Sequence, residues 1–324
     1  MGLYPDYENR VVFTFKSPEG QVRLADTVII TTPNIPLNPD VDVVVNKLPA
    51  DHNDLYFVSN LQAGFDQRGT VRWIYTGNAQ YLFRRMENGN LLMTSNENLV
   101  SYHNEKFMEV TIFGETLREY TVPNRMHHEV RQMPNGNFLV ATNSNRYEGD
   151  GNDGRWEEGV VVEMDRQTGE VVKEWNFNQI LDTNRNRPPG GNPDDLLHIN
   201  TVYYDETDDS IVISSKHQST VAKVDYATGS IIWLLAHPSG WAERWQPYVL
   251  QPVNAGGSEV DLGNTDFYSY FQHAPMRLPN GNILLYDNGN YRNFYNGPIE
   301  DNYSRAVEYK INERGENSAA CLGV

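Results

Sequence analysis

Short apolar runs separated by turn residues cover most of the chain beyond residue 54. In the segment QHAPMRLPNGN, residues 272–282, an Asn-Gly pair lies between two apolar runs, which is a strong hairpin signal. The pattern returns at 128–140 and, less literally, at 198–213 and 80–92. Each copy predicts a strand, a tight turn and a second strand. Seven residues before the turn stand His128, His198 and His273, and Tyr81 occupies this position in the remaining copy.

A second repeated element begins with glycine and ends with an aromatic residue, at 69–73, 114–120, 169–175 and 229–233. Together the two elements give four strands per repeat. The first two Asn-Gly turns, at 88 and 135, are separated by close to the ~40–50 residues of one propeller blade. Radial repetition hides most sheet edges, so the pattern favours a β-propeller over the alternative, a β-sandwich of hairpins. We expect an all-β fold with the propeller at 49–324.

The two ends of the chain differ from the repeats. Strand patterns at 11–15 and 27–31, followed by prolines between 33 and 39, predict that residues 1–48 form part of a small N-terminal β module and a linker. About five blades are visible and the last is unfinished. We therefore expect a propeller truncated at its C-terminus, or one closed by strands from the N-terminal part.

Composition removes several classes of partner. The 324 residues include 26 basic and 43 acidic side chains, and the resulting charge of −17 repels nucleic acid and anionic membrane surfaces. The single cysteine, Cys321, excludes an intrachain disulfide and a cysteine-based zinc site. No run of apolar residues is long enough to predict a membrane span, and residues 1–9 lack a signal-peptide pattern.

The repeat positions predict a cluster of imidazoles and cations. The first strand of each propeller blade lines the central channel, so the residues seven positions before the turns should meet near the axis. Residues about eighteen positions further on return to the same end of the sheet, and three of them are basic. Positive charge in a concave site of an acidic protein favours a small anion. The cations are Arg146, Lys216 and Arg292.

Other interpretations of these histidines stay open. A histidine on a buried strand is often only structural, and three imidazoles can also hold zinc or iron. The nearby cations oppose a metal, and no carboxylate is evident at the equivalent first-strand positions. We expect His127 and His217 to be supporting or core residues and His103 to lie in a turn. A propeller that only binds an anionic ligand, and a metal- or quinone-dependent oxidoreductase, are the alternative functions.

The segment LHINTVYYDETDDSIVISSKHQS at 197–219, with Gln272-His273 and YSRAV at 303–307, resembles the bacterial arylsulfate sulfotransferases. The similarity extends from about residue 43 to the end of the chain. It implies a six-bladed propeller with a small N-terminal β-domain. It also implies transfer of a sulfuryl group from a phenolic sulfate ester to a phenol without phosphoadenosine phosphosulfate, no cofactor, and a periplasmic location. A homodimer is left open.

The resemblance also assigns roles. His273 matches the histidine that becomes transiently sulfurylated, and His198 and His128 match its partners. Lys216 stands where the family usually has arginine, so a point charge replaces a bidentate grip on the sulfate oxygens. We expect His273 to be the nucleophile in a ping-pong reaction, His198 and Lys216 to stabilise the sulfuryl oxygens, and His128 to be the acid and base for phenol. Tyr81, Tyr291 and Arg292 are expected to line the aryl pocket.

Overall fold

The structure, a computed structural model, describes residues 2–35, 44, 54–77, 79, 81–95, 103–144, 157–189, 195–254, 256–258, 260, 267–295, 297, 303–313 and 318–322. Strands dominate these residues, and the prediction of an all-β fold is confirmed. The described α-helix is a single turn, α1, at Phe177–Ile180, and two 3-10 turns lie at Ser59–Leu61 and Gln246–Tyr248. Among the described helices, none has the length and apolar character needed to cross a bilayer.

The chain divides into two compact units, Met1–Glu97 with Met108–Arg118, and Asn98–Phe107 with Glu119–Val324. The first unit contains two antiparallel hairpins and a three-stranded sheet between them in sequence. The predicted module boundary near residue 48 falls in 45–53, outside the described residues, and it stays a prediction. The strands of this unit are β1 (Tyr7–Lys16), β2 (Val22–Thr32), β3 (Tyr56–Val58), β4 (Ala63–Phe65), β5 (Val71–Ile74), β6 (Leu82–Arg85) and β7 (Leu91–Thr94).

The second unit contains three antiparallel meanders of four strands. The meanders cover residues 116–176, 199–235 and 273–321, and in each of them the strands pair in sequence order. A short strand at residues 251–253 is added parallel to the last strand of the third meander. Such a meander is the blade of a propeller, as the repeats predict, whereas the number of six blades stays a prediction. Two strands, β8 (Asn104–Val110) and β9 (Thr116–Gln132), contain residues of both units. The others are β10 (Phe138–Thr142), β11 (Val160–Met164), β12 (Val171–Asn176), β13 (Ile199–Asp205), β14 (Ser210–Ser215), β15 (Thr220–Asp225), β16 (Ile231–Leu235), β17 (Gln251–Val253), β18 (His273–Arg277), β19 (Ile283–Asp287), β20 (Arg305–Asn312) and β21 (Ser318–Cys321).

The Asn-Gly-Asn turns are held by a glutamate on the third strand of the same blade. Gly136 takes a φ of 89°, a left-handed conformation that glycine adopts without strain. The amides of Asn135 and Asn137 donate to Oε1 of Glu163 at 3.0 and 2.6 Å. A buried carboxylate thus connects the first hairpin to the next strand. The same contacts recur from Asn280 and Asn282 to Glu308, and in the first unit from Asn88 and Asn90 to Glu109.

The remaining blade contains the same connection with its charges reversed. Lys223 pairs with Val212 in the register where Glu163 pairs with Leu139. Its Nζ lies 2.6 Å from Asp208 and 3.3 Å from Asp205, which belong to the turn. Carboxylates replace the turn amides, and a buried ammonium replaces the glutamate. This exchange explains why the third sequence copy lacks the Asn-Gly pair.

The core of the second unit joins neighbouring blades. One apolar cluster combines Leu139 and Val161 with Val202 and Ile213, and therefore packs β10 and β11 against β13 and β14. A second cluster joins the β13 to β16 blade to the β18 to β21 blade in the same way. Burying each of these side chains contributes about 1.5–3 kcal/mol. The packing thus holds His128, His198 and His273 within one compact unit.

Candidate active site

A β-bulge lies at the entrance of the first strand in all three blades of the second unit. The pairing of β9 with β10, of β13 with β14 and of β18 with β19 each loses its register there. Left-handed φ angles occur at or near these bulges: 50° at His128, 51° at His198, which immediately precedes its strand, and 50° at Ala274, next to His273. For residues other than glycine this conformation costs about 1–3 kcal/mol and persists only where the surroundings impose it. Each of the three histidines thus lies within or close to the bulge of its own blade.

Two of these histidines contact each other, and both lie beside the same buried carboxylate. The rings of His128 and His198 are 4.7 Å apart and nearly perpendicular. Oε2 of Glu158 lies 3.0 Å from Nδ1 of His198 and 3.6 Å from Nδ1 of His128, and Oε1 lies 2.9 Å from Nε2 of His103. Burial opposes the ionisation of Glu158, but the surrounding histidines, His127 first, lower its pKa well below the ordinary value. A buried negative charge therefore lies among the imidazoles.

A second carboxylate makes His198 a cation. Oδ2 of Asp195 lies 2.7 Å from Nδ1 of His198, while Oδ1 accepts the backbone N–H groups of His198 and Glu158, both at 3.1 Å. Burial alone would lower the pKa of His198, but hydrogen bonds to Asp195 and Glu158 outweigh it and raise the pKa to about 9. His198 is thus an imidazolium at neutral pH.

The ring of His217 packs against the ring of His198 and is neutral. The two ring centroids are 4.6 Å apart, and Nδ1 of His217 donates to the backbone carbonyl of Asp195 at 2.7 Å. Burial lowers the pKa of His217 to about 4. The residue therefore supports Asp195 and His198, in agreement with its expected supporting role.

His273 presents an unprotonated nitrogen. Its Nδ1 lies 2.7 Å from Oδ1 of Asn288 and 3.1 Å from the carbonyl oxygen of Phe271. A carbonyl oxygen only accepts, so the proton of the neutral ring lies on Nδ1 and the lone pair on Nε2. Burial lowers the pKa of His273 below its ordinary 6.5, and the charges of Lys216 and His198 act in the same direction. Nε2 is therefore available as a nucleophile at neutral pH.

Hydrogen bonds between the blades fix His273 relative to His198. The side chain of Gln272 donates to Oγ of Ser214 at 3.1 Å and to two backbone carbonyls of the neighbouring blade. In return, Nδ2 of Asn200 donates to the carbonyl of Gln272 at 2.8 Å. Beyond the histidine, the N–H of Ala274 donates to Oγ1 of Thr201 at 3.0 Å. Each residue next to His273 is thus bonded to the strand that follows His198.

Lys216 and Tyr291 both lie beside Phe271. The backbone N–H of Lys216 donates to the carbonyl of His198 at 3.0 Å, and its Nζ lies 5.8 Å from the Phe271 ring centroid. The ring of Tyr291 is 5.3 Å from that of Phe271. Phe271 in turn accepts from His273. A cation and two aromatic rings are therefore grouped next to the candidate nucleophile.

The other predicted site residues occupy different surroundings. Arg292 is fully buried, and its Nη2 lies 2.8 Å from Asp287 and 3.1 Å from the carbonyl of Tyr303. Tyr81 belongs to the first unit, where its N–H donates to Oγ1 of Thr94 at 2.9 Å. Arg146 lies outside the described residues. The substrate-binding roles expected of Arg292 and Tyr81 stay predictions.

Among the residues that the structure describes, two groups of side chains could hold a metal ion. In each group, ligand atoms lie within 4.8 Å of one another, and imidazole with carboxylate suits zinc. An ion there would meet the imidazolium of His198 and the ammonium of Lys216. The carboxylates of these groups come from segments that connect strands, and a metal-free site stays a prediction. The groups are His127, His128 and Glu158, and Asp195, His198 and His217.

Comparison with known proteins identifies a family and two curated relatives. A sequence profile described as Arylsulfotransferase (ASST) matches residues 41–318. Arylsulfate sulfotransferase AssT of Escherichia coli O6:H1 is 27% identical over 308 residues, which cover 77% of this chain and 50% of that protein. AssT of Lelliottia amnigena is 26% identical over 334 residues, with coverage of 85% and 53%.

Similarity to solved structures is weak. A streptogramin B lyase structure has a TM-score of 0.39 and 11% identity, covering 81% of this chain and 75% of that one. The chain spans about half the length of the curated relatives it matches. Because the family profile covers most of the sequence, the chain belongs to the arylsulfotransferase family.

Proposed function

We propose that the chain moves a sulfuryl group from a phenolic sulfate ester to a phenol, in two steps, through a sulfohistidine at His273. The observation that carries the proposal is the neutral ring of His273, with its lone pair on Nε2, next to two cations, His198 and Lys216. A neutral imidazole is a competent nucleophile, and splitting a transfer through a covalent intermediate replaces one difficult step with two easier ones.

In the first step, Nε2 of His273 forms a bond to sulfur while the bond from sulfur to the aryl oxygen breaks. The bonding electrons leave with the phenolate, and a phenolate too basic to leave alone takes the proton that His128 has received from the acceptor phenol of the preceding turnover. The sulfurylated ring keeps its proton on Nδ1 and carries a positive charge. Asn288 and the carbonyl of Phe271 accept that proton's hydrogen bond and stabilise the charge.

In the second step, the incoming phenol loses its proton to His128 as its oxygen bonds to sulfur. The N–S bond breaks and its electrons return to Nε2 of His273. Burial lowers the pKa of His128 well below 6.5, so the ring is free to accept a proton at neutral pH. The proton taken from one phenol is then available for the next leaving phenolate.

The cations act on the sulfuryl oxygens. His198 is held as an imidazolium by Asp195, and Lys216 supplies a second positive charge nearby. Fixed charges aimed at a transferring anionic group are typically worth more in a buried site than in water. Phe271 and Tyr291 offer an apolar surface for the aryl ring of the substrate. We propose these two rings as one side of the aryl pocket.

Steady-state kinetics test the proposal. Initial rates are measured with a nitrophenyl sulfate donor and phenol as acceptor, without phosphoadenosine phosphosulfate and with a chelator present. Varying both substrates should give parallel double-reciprocal lines, because the donor product leaves before the acceptor binds. Intersecting lines, or a requirement for phosphoadenosine phosphosulfate, would contradict the proposal.

A periplasmic location, as the family resemblance implies, belongs to the same proposal. Fractionation of the native producing cells tests it, with the transferase activity expected in the periplasmic fraction. Recovery of the activity with cytoplasmic markers would count against that location.

A further inference from the structure

His127 and His128 are consecutive residues whose rings meet. Neighbours on a regular strand point to opposite faces of the sheet. The left-handed φ of 50° at His128 breaks this alternation, and the two ring centroids lie 5.2 Å apart. Their Nδ1 atoms are 3.0 Å from each other. The bulge therefore brings the buried ring of His127 into direct contact with His128, the proposed acid and base.

The proton on His127 is located by its other nitrogen. Nε2 of His127 lies 3.1 Å from the backbone carbonyl of Thr142, which only accepts, so Nε2 carries a proton. The ring is fully buried, and full burial disfavours a charged imidazole. A neutral His127 has one ring proton only. Its Nδ1 therefore bears a lone pair and accepts.

This assignment fixes the proton on His128. Two nitrogens 3.0 Å apart need one proton between them, and Nδ1 of His127 cannot supply it. The proton must lie on Nδ1 of His128. Glu158 favours the same arrangement, although its Oε2 is 3.6 Å from this nitrogen, beyond a normal hydrogen bond. A neutral His128 then carries its lone pair on Nε2.

We propose that His127 is a positioning residue that holds neutral His128 in the tautomer whose Nε2 accepts the proton of the incoming phenol. The proposal rests on the proposed function and adds a residue to it. Without the acceptor at position 127, the Nδ1 proton of His128 loses its partner at 3.0 Å, and the tautomer protonated on Nδ1 is less favoured. The backbone carbonyl of Thr142 thus sets, through two imidazoles, which nitrogen acts as the base.

A pair of substitutions separates positioning from packing. In His127→Asn, the amide oxygen takes the place of Nδ1 and still accepts from His128. His127→Leu fills similar volume without an acceptor. Both variants lose the bond to Thr142, so both share that loss of stability. Circular dichroism and thermal melting establish that each is folded before kinetics are compared.

The readout is each half-reaction measured separately. Nitrophenolate leaves without a proton, so its burst should be within a few fold of wild type in both variants. Transfer from the sulfurylated enzyme to phenol should slow by roughly 10²-fold in His127→Leu, the size expected when a general base is misplaced. In His127→Asn it should stay within about tenfold of wild type. Equal slowing in the two variants, or equal slowing of burst and transfer, would overturn the proposal.

A second measurement needs no turnover, and it uses a folded His128→Gln variant only to assign the signals. Nitrogen-15 spectra of wild-type protein labelled at histidine distinguish a protonated ring nitrogen from one with a lone pair. Assigned by comparison with His128→Gln, the His128 signals should show the proton on Nδ1, and a proton on Nε2 would refute the proposal. A wild-type enzyme that gives no burst would instead refute the sulfohistidine function, so the two failures are distinguishable.

Discussion

Oδ2 of Asp195 lies 2.7 Å from Nδ1 of His198, and this contact keeps one imidazole charged beside others that are neutral. His128, His198 and His273 enter their blades at equivalent bulges, yet each has a different partner at Nδ1. A carboxylate makes His198 a cation, whereas a carbonyl and an amide keep His273 neutral. The hydrogen-bond partner of Nδ1, rather than the position of the histidine in the repeat, decides whether each ring is charged or neutral.

Replacing Asp195 with asparagine should reduce the fraction of His198 that is charged at neutral pH, with Glu158 left as its remaining carboxylate. The variant keeps the shape of the side chain but not the negative charge, so the pKa of His198 falls and the sulfuryl oxygens lose a cation. We expect kcat/KM for the nitrophenyl sulfate donor to fall by about 10- to 100-fold, near the lower end for loss of one stabilising group. Stopped-flow measurement of the first nitrophenolate burst checks this.

Asp225→Asn is the matched control for Asp195→Asn. Asp225 closes an exposed turn through Thr228 and lies in the same blade as His198. Its removal should leave the burst within about twofold of wild type, since exposed polar changes have small effects. A burst in Asp195→Asn that matches this control would exclude His198 as a required cation.

The pH profile of the burst should have a plateau with two limits. Burial holds the pKa of His273 below 6.5, so the nucleophile stays neutral as the pH falls and protonates only below that value. At high pH, the charge of His198 is lost as the pH rises through about 9. The burst rate should therefore be nearly constant between these limits. A rate that already falls on acidification above about pH 7 would contradict the assignment for His273.

Metal removal should leave the activity intact, and added zinc should inhibit. The groups around Glu158 and Asp195 offer imidazole and carboxylate ligands, but the mechanism uses these atoms to hold protons. Enzyme dialysed against a chelator is assayed before and after addition of Zn²⁺. We expect full activity first, then inhibition that the chelator reverses. Loss of activity on dialysis with recovery on adding a metal would show that the site needs an ion.

The repeats and the positions of the histidines in them can be predicted from the sequence, because hairpin turns and strand periodicity are local signals. The bulges could not be predicted, since nothing in the sequence around His128 indicates a left-handed φ, and the sequence therefore predicts only a supporting or core role for His127. The local sequence around His103 resembles a turn. Its contact with Glu158, which is 55 residues away in the sequence, could not be predicted from that local pattern.

The two site carboxylates were missed for a related reason. Asp195 precedes His198 by three residues, a spacing that allows the contact with Nδ1, but it lies in a connection where strand periodicity gives no direction. Glu158 lies two residues before β11 and contacts the histidines only when the chain has folded. Long-range contacts of this kind depend on tertiary packing, which local patterns do not encode.

The glutamate that closes each Asn-Gly-Asn turn should matter most where it is buried. Oε1 of Glu163 accepts from Asn135 and Asn137, and Oε2 accepts from the hydroxyl of Tyr226 at 2.6 Å. Glu163→Ala leaves these donors without their partner, at a cost of about 3 kcal/mol. Chemical denaturation measures the loss. Glu308→Ala, at the more exposed copy, should cost less, and an equal or larger loss there would contradict this explanation.

Mass spectrometry of the trapped intermediate tests the central claim most directly. The enzyme is mixed with excess nitrophenyl sulfate without acceptor, quenched at alkaline pH, and analysed intact and as peptides, with His273→Ala as control. We predict a gain of one sulfuryl group on His273, absent from the control and lost when phenol is added before the quench. An active enzyme that gains no mass, or that carries the group on another residue, would contradict the account.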